Sequence, residues 1–490
     1  MQSNIRILAV LLLIVTGSSC KKDFINLAPV SNQTSATFFK TAADFQQGVN
    51  AVYDGLQSQQ AYGRTFYYLM EVRSDNTDIG DRGANAGVAS QVDLFTEATT
   101  NPFVTDGFAG SYVIISRANA VLDRIDAASI DDASRKQFKG EALFLRALSY
   151  FNLVRLYGNV PLVVRTESPN ESLSDKRNTT AEVYTQIEAD LKLATTLLPV
   201  SYAAADLGRA TAGSANTLLG KVYVTEKKWS DAATVLRTVL PNYSLLPNYA
   251  DLFRADNPVN AETIFTVRFR KGLSPTEGNT FFSDMAPMIY INGTTYSGAT
   301  NNRPTLDIAR SYEAADKRFI ASMDTVYYRN ATTLSSGRYV KKYLDLPATT
   351  GDQGNSFPVL RYADALLLLA EALNEQAYSA STADGSALSY INRVRTRAGV
   401  PAYTGTALAT QDAVREAIFR ERRVELAFEN DRWFDIIRYS KGLQTMQAHL
   451  LKEYGLATPV LTASRFLLPI PQREIEVHND PVNFPQNTGY

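Results

Sequence analysis

The chain has 490 residues, of which 45% are hydrophobic and 20% charged, the composition of an ordinary globular protein with a large core. The 49 basic residues nearly balance the 50 acidic ones, so the net charge gives no electrostatic reason to expect nucleic-acid binding. The 26 tyrosines and 23 phenylalanines suit both core positions and the flat faces of sugars. Length alone allows two or three domains or a single helical assembly.

The N-terminus has the pattern of a lipoprotein signal peptide. The apolar run 7–15 follows Arg6 and is too short to span a membrane. Small residues precede Cys20, which is the only cysteine, so no internal disulfide forms. We therefore predict a signal peptide over residues 1–19 and lipid attachment at Cys20, which would anchor the chain stably to a membrane.

Two residues depart from the usual cleavage sequence of lipoproteins. Gly17 stands where Leu is common and Ser19 where Gly or Ala is common, so an ordinary signal peptide with an incidental cysteine is the alternative. Residues 20–40 are predicted to be a lipid-anchored linker. The charged residues 21–23 resemble the export signal of Bacteroidetes-type lipoproteins, which implies an outer-membrane anchor facing the cell exterior. No other stretch is long and apolar enough to span a bilayer.

Helical periodicity begins near Ala42 and returns in several stronger segments. The segment Lys139–Tyr157 is apolar on most sides, which indicates a helix buried between others. A helix is also predicted at Thr180–Leu198, with Thr179 or Thr180 as its N-cap. A further helix is predicted at Gln411–Glu429.

Two segments have the spacing of tetratricopeptide units, in which two antiparallel helices pack closely. The first unit is carried by Leu219, Gly220, Tyr223, Ala232 and Leu236, with Trp229 beginning its second helix. A looser copy covers residues 361–397. Small residues at Gly220 and Ala232 would let the two helices of the first unit approach each other.

The periodicity fails at residues 61–110, before the first unit, and again at residues 251–343, between the two units. Residues 264–269 alternate like a short strand, and the chain after Glu429 looks loop-rich. The predicted fold is therefore mainly α, with tetratricopeptide-like helix pairs forming a scaffold, large irregular loop-rich insertions and a few short strands. We predict a single domain over residues 41–490, with an N-terminal half 41–250 and a C-terminal half 251–490.

Several motifs resemble those of the SusD/RagB family of outer-membrane nutrient-binding lipoproteins, named after a starch-utilisation system. They stand in the family's order at residues 144–151, 157–162, 361–364, 370–374, 392–399, 421–429, 432–438, 468–471 and 486–490. The resemblance implies a tetratricopeptide-like fold whose irregular loops carry the ligand site. It also implies a partner, a SusC-like TonB-dependent outer-membrane transporter. The motifs are scaffold residues, so they do not name the ligand, which the family implies is a glycan or, in some relatives, a peptide.

The charged run 421–429 invites a catalytic interpretation, since paired carboxylates perform acid/base chemistry. Glu421 and Glu425 lie one helical turn apart, among Arg420, Arg422 and Arg423. Arginines so close hold carboxylates ionised, which unfits them for general acid catalysis. We predict a structural ion-pair network here, and the same for Arg361, Asp364, Arg432 and Asp435.

An oxygen-rich cluster in the first insertion contains Asp75, Asn76, Asp78 and Asp81. The residues between them do not complete a calcium loop, although Gly80 fits one, so turn capping or ligand hydrogen bonds are preferred over a metal. With only two histidines and no nucleophile or phosphate-binding motif, we predict no catalytic residue, no metal and no cofactor. A glycosidase needs only two carboxylates, so that class of enzyme stays open.

Sugar binding requires aromatic platforms beside planar hydrogen-bonding groups. The candidates in the first insertion are Tyr67, Tyr68, Arg73, Asp75, Asn76 and Phe95, and those in the second are Phe281, Tyr290, Asn292 and Tyr296. The functional hypothesis is a non-enzymatic surface lipoprotein that captures an oligosaccharide for its transporter. The alternatives are a lipid-anchored glycoside hydrolase, and a peptide-binding or scaffold component of the transporter complex.

Overall fold

The structure is a computed structural model that describes residues 38–83, 87–274, 276–347, 349, 351–456 and 461–490. The predicted signal peptide, the lipidation site Cys20 and nearly all of the predicted linker lie outside these residues. In the part of the chain that is described, no helix is long and apolar enough to cross a membrane.

The chain is mainly helical, as predicted. Its helices are α1 Ala42–Gln57, α2 Thr65–Tyr67, α3 Val88–Asp93, α4 Pro102–Ile125, α5 Asp132–Tyr157, α6 Pro169–Ser172, α7 Thr180–Leu197, α8 Ala212–Thr225, α9 Trp229–Val239, α10 Phe281–Met285, α11 Leu306–Ser311, α12 Arg318–Ser322, α13 Tyr362–Gln376, α14 Ala387–Ala398, α15 Gln411–Glu425, α16 Arg432–Arg438, α17 Gly442–Tyr454 and α18 Gln472–His478. The π-helical turn Tyr68–Val72 continues α2.

The strands are short and pair antiparallel in twos. They are β1 Thr77–Asp78, β2 Thr263–Val267, β3 Ile289–Ile291, β4 Thr294–Tyr296, β5 Arg303–Pro304, β6 Met323–Tyr328, β7 Leu334–Val340 and β8 Phe357–Arg361. The pairs are β1 with β5, β2 with β8, β3 with β4 and β6 with β7. The pairing of β1 with β5 joins the two insertions that lacked periodicity, and β2 confirms the strand expected near residue 264.

The longer helices pack one on the next in the order α1, α4, α5, α7, α8, α9 and α13, with α14 and α15 against α13. Helix α7 begins with the predicted cap: Thr179 accepts a hydrogen bond from the Glu182 backbone N–H, and the Glu182 carboxylate bonds back. The apolar side chains of these helices form one hydrophobic core whose members run from Phe45 to Phe484. The core therefore draws on both halves of the sequence.

The first tetratricopeptide-like unit is confirmed as α8 and α9, with Trp229 at the start of the second helix. A Cβ atom on Gly220 would lie 2.5 Å from the Leu236 side chain, so a residue without a side chain is needed where the helices meet. The looser copy forms α13 and α14, which also pack together.

Two segments that were predicted to be irregular contain helices, so the prediction is wrong there. Helix α4 begins at Pro102, inside the expected irregular segment 61–110, with Asn101 as its N-cap. Its Gly107 and Gly110 obscured the pattern, because glycine is a poor helix former, but both let neighbouring segments approach. The C-terminal part is also less irregular than expected, since α16, α17 and α18 lie there.

Candidate ligand-binding site

The charged run in α15 belongs to a buried ion-pair network, as predicted, but the arginines that pair with its glutamates come from other segments and not from the neighbouring positions 420, 422 and 423. Glu425 lies within hydrogen-bonding distance of three guanidinium groups, those of Arg318, Arg361 and Arg397. Burial would raise the pKa of Glu425, but these three cations hold it well below its usual value. The carboxylate therefore stays ionised and does not serve as a general acid.

A second part of the network confirms the predicted roles of Asp364, Asp435 and Arg422. Arg422 donates to Asp364 at 2.7 Å and to Asp435 at 2.8 Å, and all three side chains are buried. These pairs tie α13, α15 and α16 together. No cluster of metal-ligating side chains occurs among the described residues.

Four of the candidates in the first insertion lie in the core, and the prediction that they contact a ligand is corrected for them. Arg73 is fully buried, with its guanidinium 4.5 Å from the Phe95 ring and 3.0 Å from Glu97. Asp75 accepts two hydrogen bonds from Arg432. The side chains of Arg73, Asp75, Asn76 and Phe95 are all at most 2% exposed, as are those of Tyr67 and Tyr68, which differ in having hydroxyls without a well-formed hydrogen bond.

Asn76 and its acidic neighbours fix the backbone of this insertion. The Asn76 amide donates to Glu71 at 3.0 Å and accepts from Arg423 at 2.9 Å. Asp78 forms a two-pronged pair with Arg303 on the partner strand β5, and Asp81 accepts from the Gly83 backbone N–H. The side chains of the oxygen-rich cluster therefore form ion pairs and turn hydrogen bonds. Turn capping is one of the two roles that the sequence favoured over metal binding.

Tyr67 and Tyr68 take part in a stack of three aromatic rings. The Tyr67 and Tyr68 ring centroids are 4.3 Å apart, and the Phe103 ring of α4 lies 4.0 Å beyond Tyr68. The two tyrosines stand where α2 gives way to a π-helical turn, a local irregularity that is frequent at functional sites. Both tyrosines are candidates from the sequence, whereas Phe103 is not.

The stack meets the second insertion through Arg64 and Asp284. The Arg64 guanidinium lies 5.8 Å from the Tyr68 centroid, and its Nε is 3.5 Å from an Asp284 carboxylate oxygen. Asp284, in α10, also accepts from the Thr280 hydroxyl at 2.7 Å. We call Arg64, Tyr67, Tyr68, Phe103 and Asp284 the Arg64 cluster.

The Arg64 cluster has hydrogen-bonding capacity that the protein does not use. The hydroxyls of Tyr67 and Tyr68 and the Nε of Arg64 make no well-formed hydrogen bond among the described residues. The two hydroxyls lie near each other, and they also lie near Arg64 and Asp284. Burial raises the pKa of Tyr68 to about 12, so its hydroxyl remains a neutral donor. The Arg64 and Asp284 side chains are 28% and 14% exposed and form the accessible side of the cluster. The cluster thus offers neutral hydroxyls, a cation and a carboxylate beside aromatic rings. These groups can donate hydrogen bonds to, and accept them from, the hydroxyls of a sugar.

Three of the four candidates in the second insertion lie on the β3–β4 hairpin. Asn292 and Gly293 form its two-residue turn with φ of 50° and 85°, the geometry that favours an Asn-Gly pair. Tyr296 pairs with Ile289 and packs on Phe282, 6.0 Å between ring centroids. Tyr290 pairs with Thr295 on the other face of the hairpin and is half-buried.

Phe281, the other aromatic candidate of the second insertion, is 1% exposed and packs on Phe269, Tyr343 and Phe357. It is a core residue, and the prediction of a ligand contact is corrected. Nothing in the spacing of the sequence signals Arg64 or Asp284, because their proximity depends on how the two insertions fold against each other.

The sequence matches two family descriptions. Residues 23–224 match the family described as starch-binding and associating with the outer membrane, and residues 320–490 match the SusD family. A relative from Formosa agariphila, SusD-like protein P2, is 30% identical, with 98% of each chain covered. The chain belongs to the SusD family.

Other relatives extend over most of this SusD-family chain. A SusD-like protein of Bacteroides ovatus is 25% identical, with 90% of this chain and 83% of the relative covered. Among solved structures, a laminarin-binding SusD-like protein has a TM-score of 0.76 at 27% identity, covering 92% of this chain and 100% of that one. A SusD homologue of Bacteroides thetaiotaomicron has a TM-score of 0.78 at 25% identity, covering 93% and 98%.

Proposed function

We infer that this SusD-family chain is a surface lipoprotein that binds an oligosaccharide without cleaving it. The observation that carries the proposal is its full-length similarity to a solved relative whose name states that it binds laminarin. Laminarin-derived oligosaccharides are therefore the first ligands to test. The family description adds an association with the outer membrane, which agrees with the anchor expected at Cys20.

The Arg64 cluster is the proposed polar end of the binding site. Arg64 and Asp284 are its partly exposed members, and a sugar that displaces their contact would reach the unpartnered hydroxyls of Tyr67 and Tyr68. A sugar hydroxyl both donates and accepts hydrogen bonds, so it satisfies a phenol and a carboxylate together. Tyr290, half-buried on the β3–β4 hairpin, remains a further candidate for stacking on a sugar ring.

Calorimetric titration of the chain from Lys21 onward tests this proposal. The panel contains laminarihexaose, other oligosaccharides and short peptides, and the ligand is recovered afterwards for product analysis. We expect saturable heat with at least one oligosaccharide, weakened in Arg64→Gln. The matched control is Arg237→Gln, which removes an exposed cation from α9. Cleaved sugar, or binding of peptides alone, contradicts the proposal.

Delivery to a SusC-like TonB-dependent transporter is the second part of the proposal, and it rests on family membership. Cys20→Ala should release the chain from the membrane fraction, and protease added to whole cells should remove the wild-type chain if it faces outward. Isolation of the wild-type chain from detergent-solubilised membranes should recover the transporter with it. Recovery of the wild-type chain in the soluble fraction contradicts the membrane anchor. Its purification without any transporter contradicts the delivery role.

A further inference from the structure

A cavity of about 510 Å³ lies between α11, α15 and α17. No member of the Arg64 cluster lines it. Its lining residues are Asp75, Asp307, Ser311, Glu416, Phe419, Arg420, Arg423, Arg432, Thr445, Ala448, His449 and Lys452. Its volume lies within the range of small-molecule binding sites.

The carboxylates of this cavity are already paired. Asp75 lies 2.7 Å from Arg432 and 3.2 Å from Arg423. Asp307 lies 2.8 Å from Arg423 and 2.6 Å from Lys452. Their oxygens are therefore occupied by cations of the protein, and a further cation would find little free negative charge.

Several polar atoms that line the cavity, in contrast, have no hydrogen-bond partner among the described residues. Nη1 of Arg432 and both ring nitrogens of His449 are buried without a hydrogen-bond partner among the described residues. Arg432 is 3% exposed and His449 is 6% exposed. Arg420 is exposed at the rim and forms no ion pair within the described ranges, while Glu416 is paired with Lys441.

The unpartnered groups are held in place by their neighbours. Asp75 binds two nitrogens of Arg432, and the Arg432 guanidinium stacks 4.2 Å from the Phe419 ring. Burial lowers the pKa of His449. The Asp75 carboxylate opposes this shift, and the Arg423 guanidinium adds to it. A neutral imidazole offers one donor and one acceptor. The guanidinium of Arg432 therefore presents a positive charge to the cavity. The imidazole of His449 presents one hydrogen-bond donor and one acceptor.

We propose that this cavity binds a small oxyanion through Arg432 Nη1, the His449 N–H and the Arg420 guanidinium. A hydroxyl next to the oxyanion would donate to the other nitrogen of His449, so a sugar acid such as glucuronate fits the set of donors and the volume. A free inorganic oxyanion, with sulfate as its probe, shares the charge and lacks the carbon-bound hydroxyl. Leaving buried donors without a hydrogen bond costs free energy, and a bound oxyanion would supply the missing bonds.

The histidine content of the chain gives a direct test. His449 and His478 are the only histidines, so the ring nitrogens of the ¹⁵N-histidine-labelled chain give resonances from just two side chains. His478 is the internal control, because its ring nitrogens lie 2.9 Å from the Glu474 carbonyl oxygen and 3.1 Å from that of Ser172. His478→Gln assigns the two sets of resonances.

Titration with glucuronate should shift the His449 resonances saturably and leave those of His478 in place, whereas glucose should shift neither. Arg420→Gln should weaken the affinity about tenfold, the effect of losing one charged hydrogen bond. Arg420 makes no ion pair in the described structure, so this variant should fold like the wild type. Arg237→Gln is the matched control and should bind like the wild type.

A shift with sulfate but not glucuronate supports the oxyanion site and assigns it to a free inorganic ion. A shift of the His449 resonances with both sulfate and glucuronate supports the oxyanion site for either kind of ligand. Unmoved His449 resonances with both anions overturn the proposal, as does an equal response to glucose or an unchanged affinity in Arg420→Gln. The proposal does not depend on oligosaccharide binding at the Arg64 cluster, because each site has its own variants and its own signal.

Discussion

At the scale of single residues, the buried polar groups divide into those that are satisfied within the protein and those that are not. Asp75 and Asn76 have hydrogen-bond partners in the core, so their polarity serves the fold. The hydroxyls of Tyr67 and Tyr68 make no well-formed hydrogen bond among the described residues, although an unpaired buried hydroxyl is unfavourable. We take this difference as the reason to place ligand contacts at the two tyrosines.

Tyr68→Phe tests that assignment. The variant removes a hydroxyl without a hydrogen-bond partner in the protein, so its free energy of unfolding should stay within about 0.5 kcal/mol of the wild type. Its affinity for the oligosaccharide should fall about tenfold. In the control Tyr112→Phe, which loses a bond to the Pro161 carbonyl, the unfolding free energy should fall by about 1 kcal/mol with affinity unchanged. The opposite pattern, measured by calorimetry and urea unfolding, contradicts the assignment.

Asp93 provides a prediction about pH. Burial, followed by repulsion from Asp78, raises its pKa from 3.8 to about 7. The folded state therefore holds the proton more tightly than the unfolded state, and this stabilisation is lost as the pH rises from about 4 through about 7. Asp93→Asn cannot titrate, so its unfolding free energy relative to the wild type should increase over that window.

Urea unfolding at several pH values measures this effect for Asp93→Asn. The exposed carboxyl of Asp231 on α9 gives the control Asp231→Asn, which should keep the wild-type dependence on pH. A constant difference between Asp93→Asn and the wild type from pH 4 to pH 8 would show that Asp93 does not bind the proton in that window.

At the scale of elements, the sequence predicted helices where periodicity was strong and failed where it was interrupted. The spacing around Gly220 and Leu236 was enough to place the α8–α9 pair. Helix α4 was missed, because Gly107 and Gly110 weaken its local propensity while tertiary packing holds the helix together. The contact of Arg64 with Asp284 could not be predicted, because it joins residues of two insertions that have no common local pattern.

Gly110 shows how an element shapes the candidate site. A Cβ atom there would lie 2.7 Å from the Gln60 carbonyl oxygen, in the segment that leads to Arg64. Gly110→Val should therefore lower the unfolding free energy by about 1–3 kcal/mol, the cost of overpacking, and weaken oligosaccharide binding. Ala109→Val changes the neighbouring exposed position of α4 and should cost less than about 1 kcal/mol with binding intact. Equal stability and affinity of the two variants, by thermal unfolding and calorimetry, would contradict this role.

At the scale of the whole molecule, the ion network joins distant parts of the chain. Arg361 at the end of β8 contacts Glu262 beside β2 and Glu425 of α15, while Arg318 of α12 also reaches Glu425. The sequence predicted the network from its charged run, because arginines and glutamates alternated on one helix. It did not predict the participation of Glu262 or Arg318, which lie in the irregular part.

Glu425→Gln tests the network. Removing one partner leaves buried guanidinium groups undercompensated, so the unfolding free energy should fall by about 3 kcal/mol or more. Asp412→Asn, on the same helix, removes an 83% exposed partner of Arg415 and should cost less than about 1 kcal/mol. Chemical unfolding of both variants gives the comparison, and a similar small loss in each would mean that the network contributes little.

The central claim is that the chain captures an oligosaccharide and leaves it intact. Equilibrium dialysis of the soluble chain against laminarihexaose, followed by chromatography of the sugar from both compartments, measures binding and cleavage together. Our account predicts an excess of full-length hexasaccharide on the protein side and no shorter product. Equal concentrations on the two sides across a panel of oligosaccharides, or shorter sugars in either compartment, would contradict it.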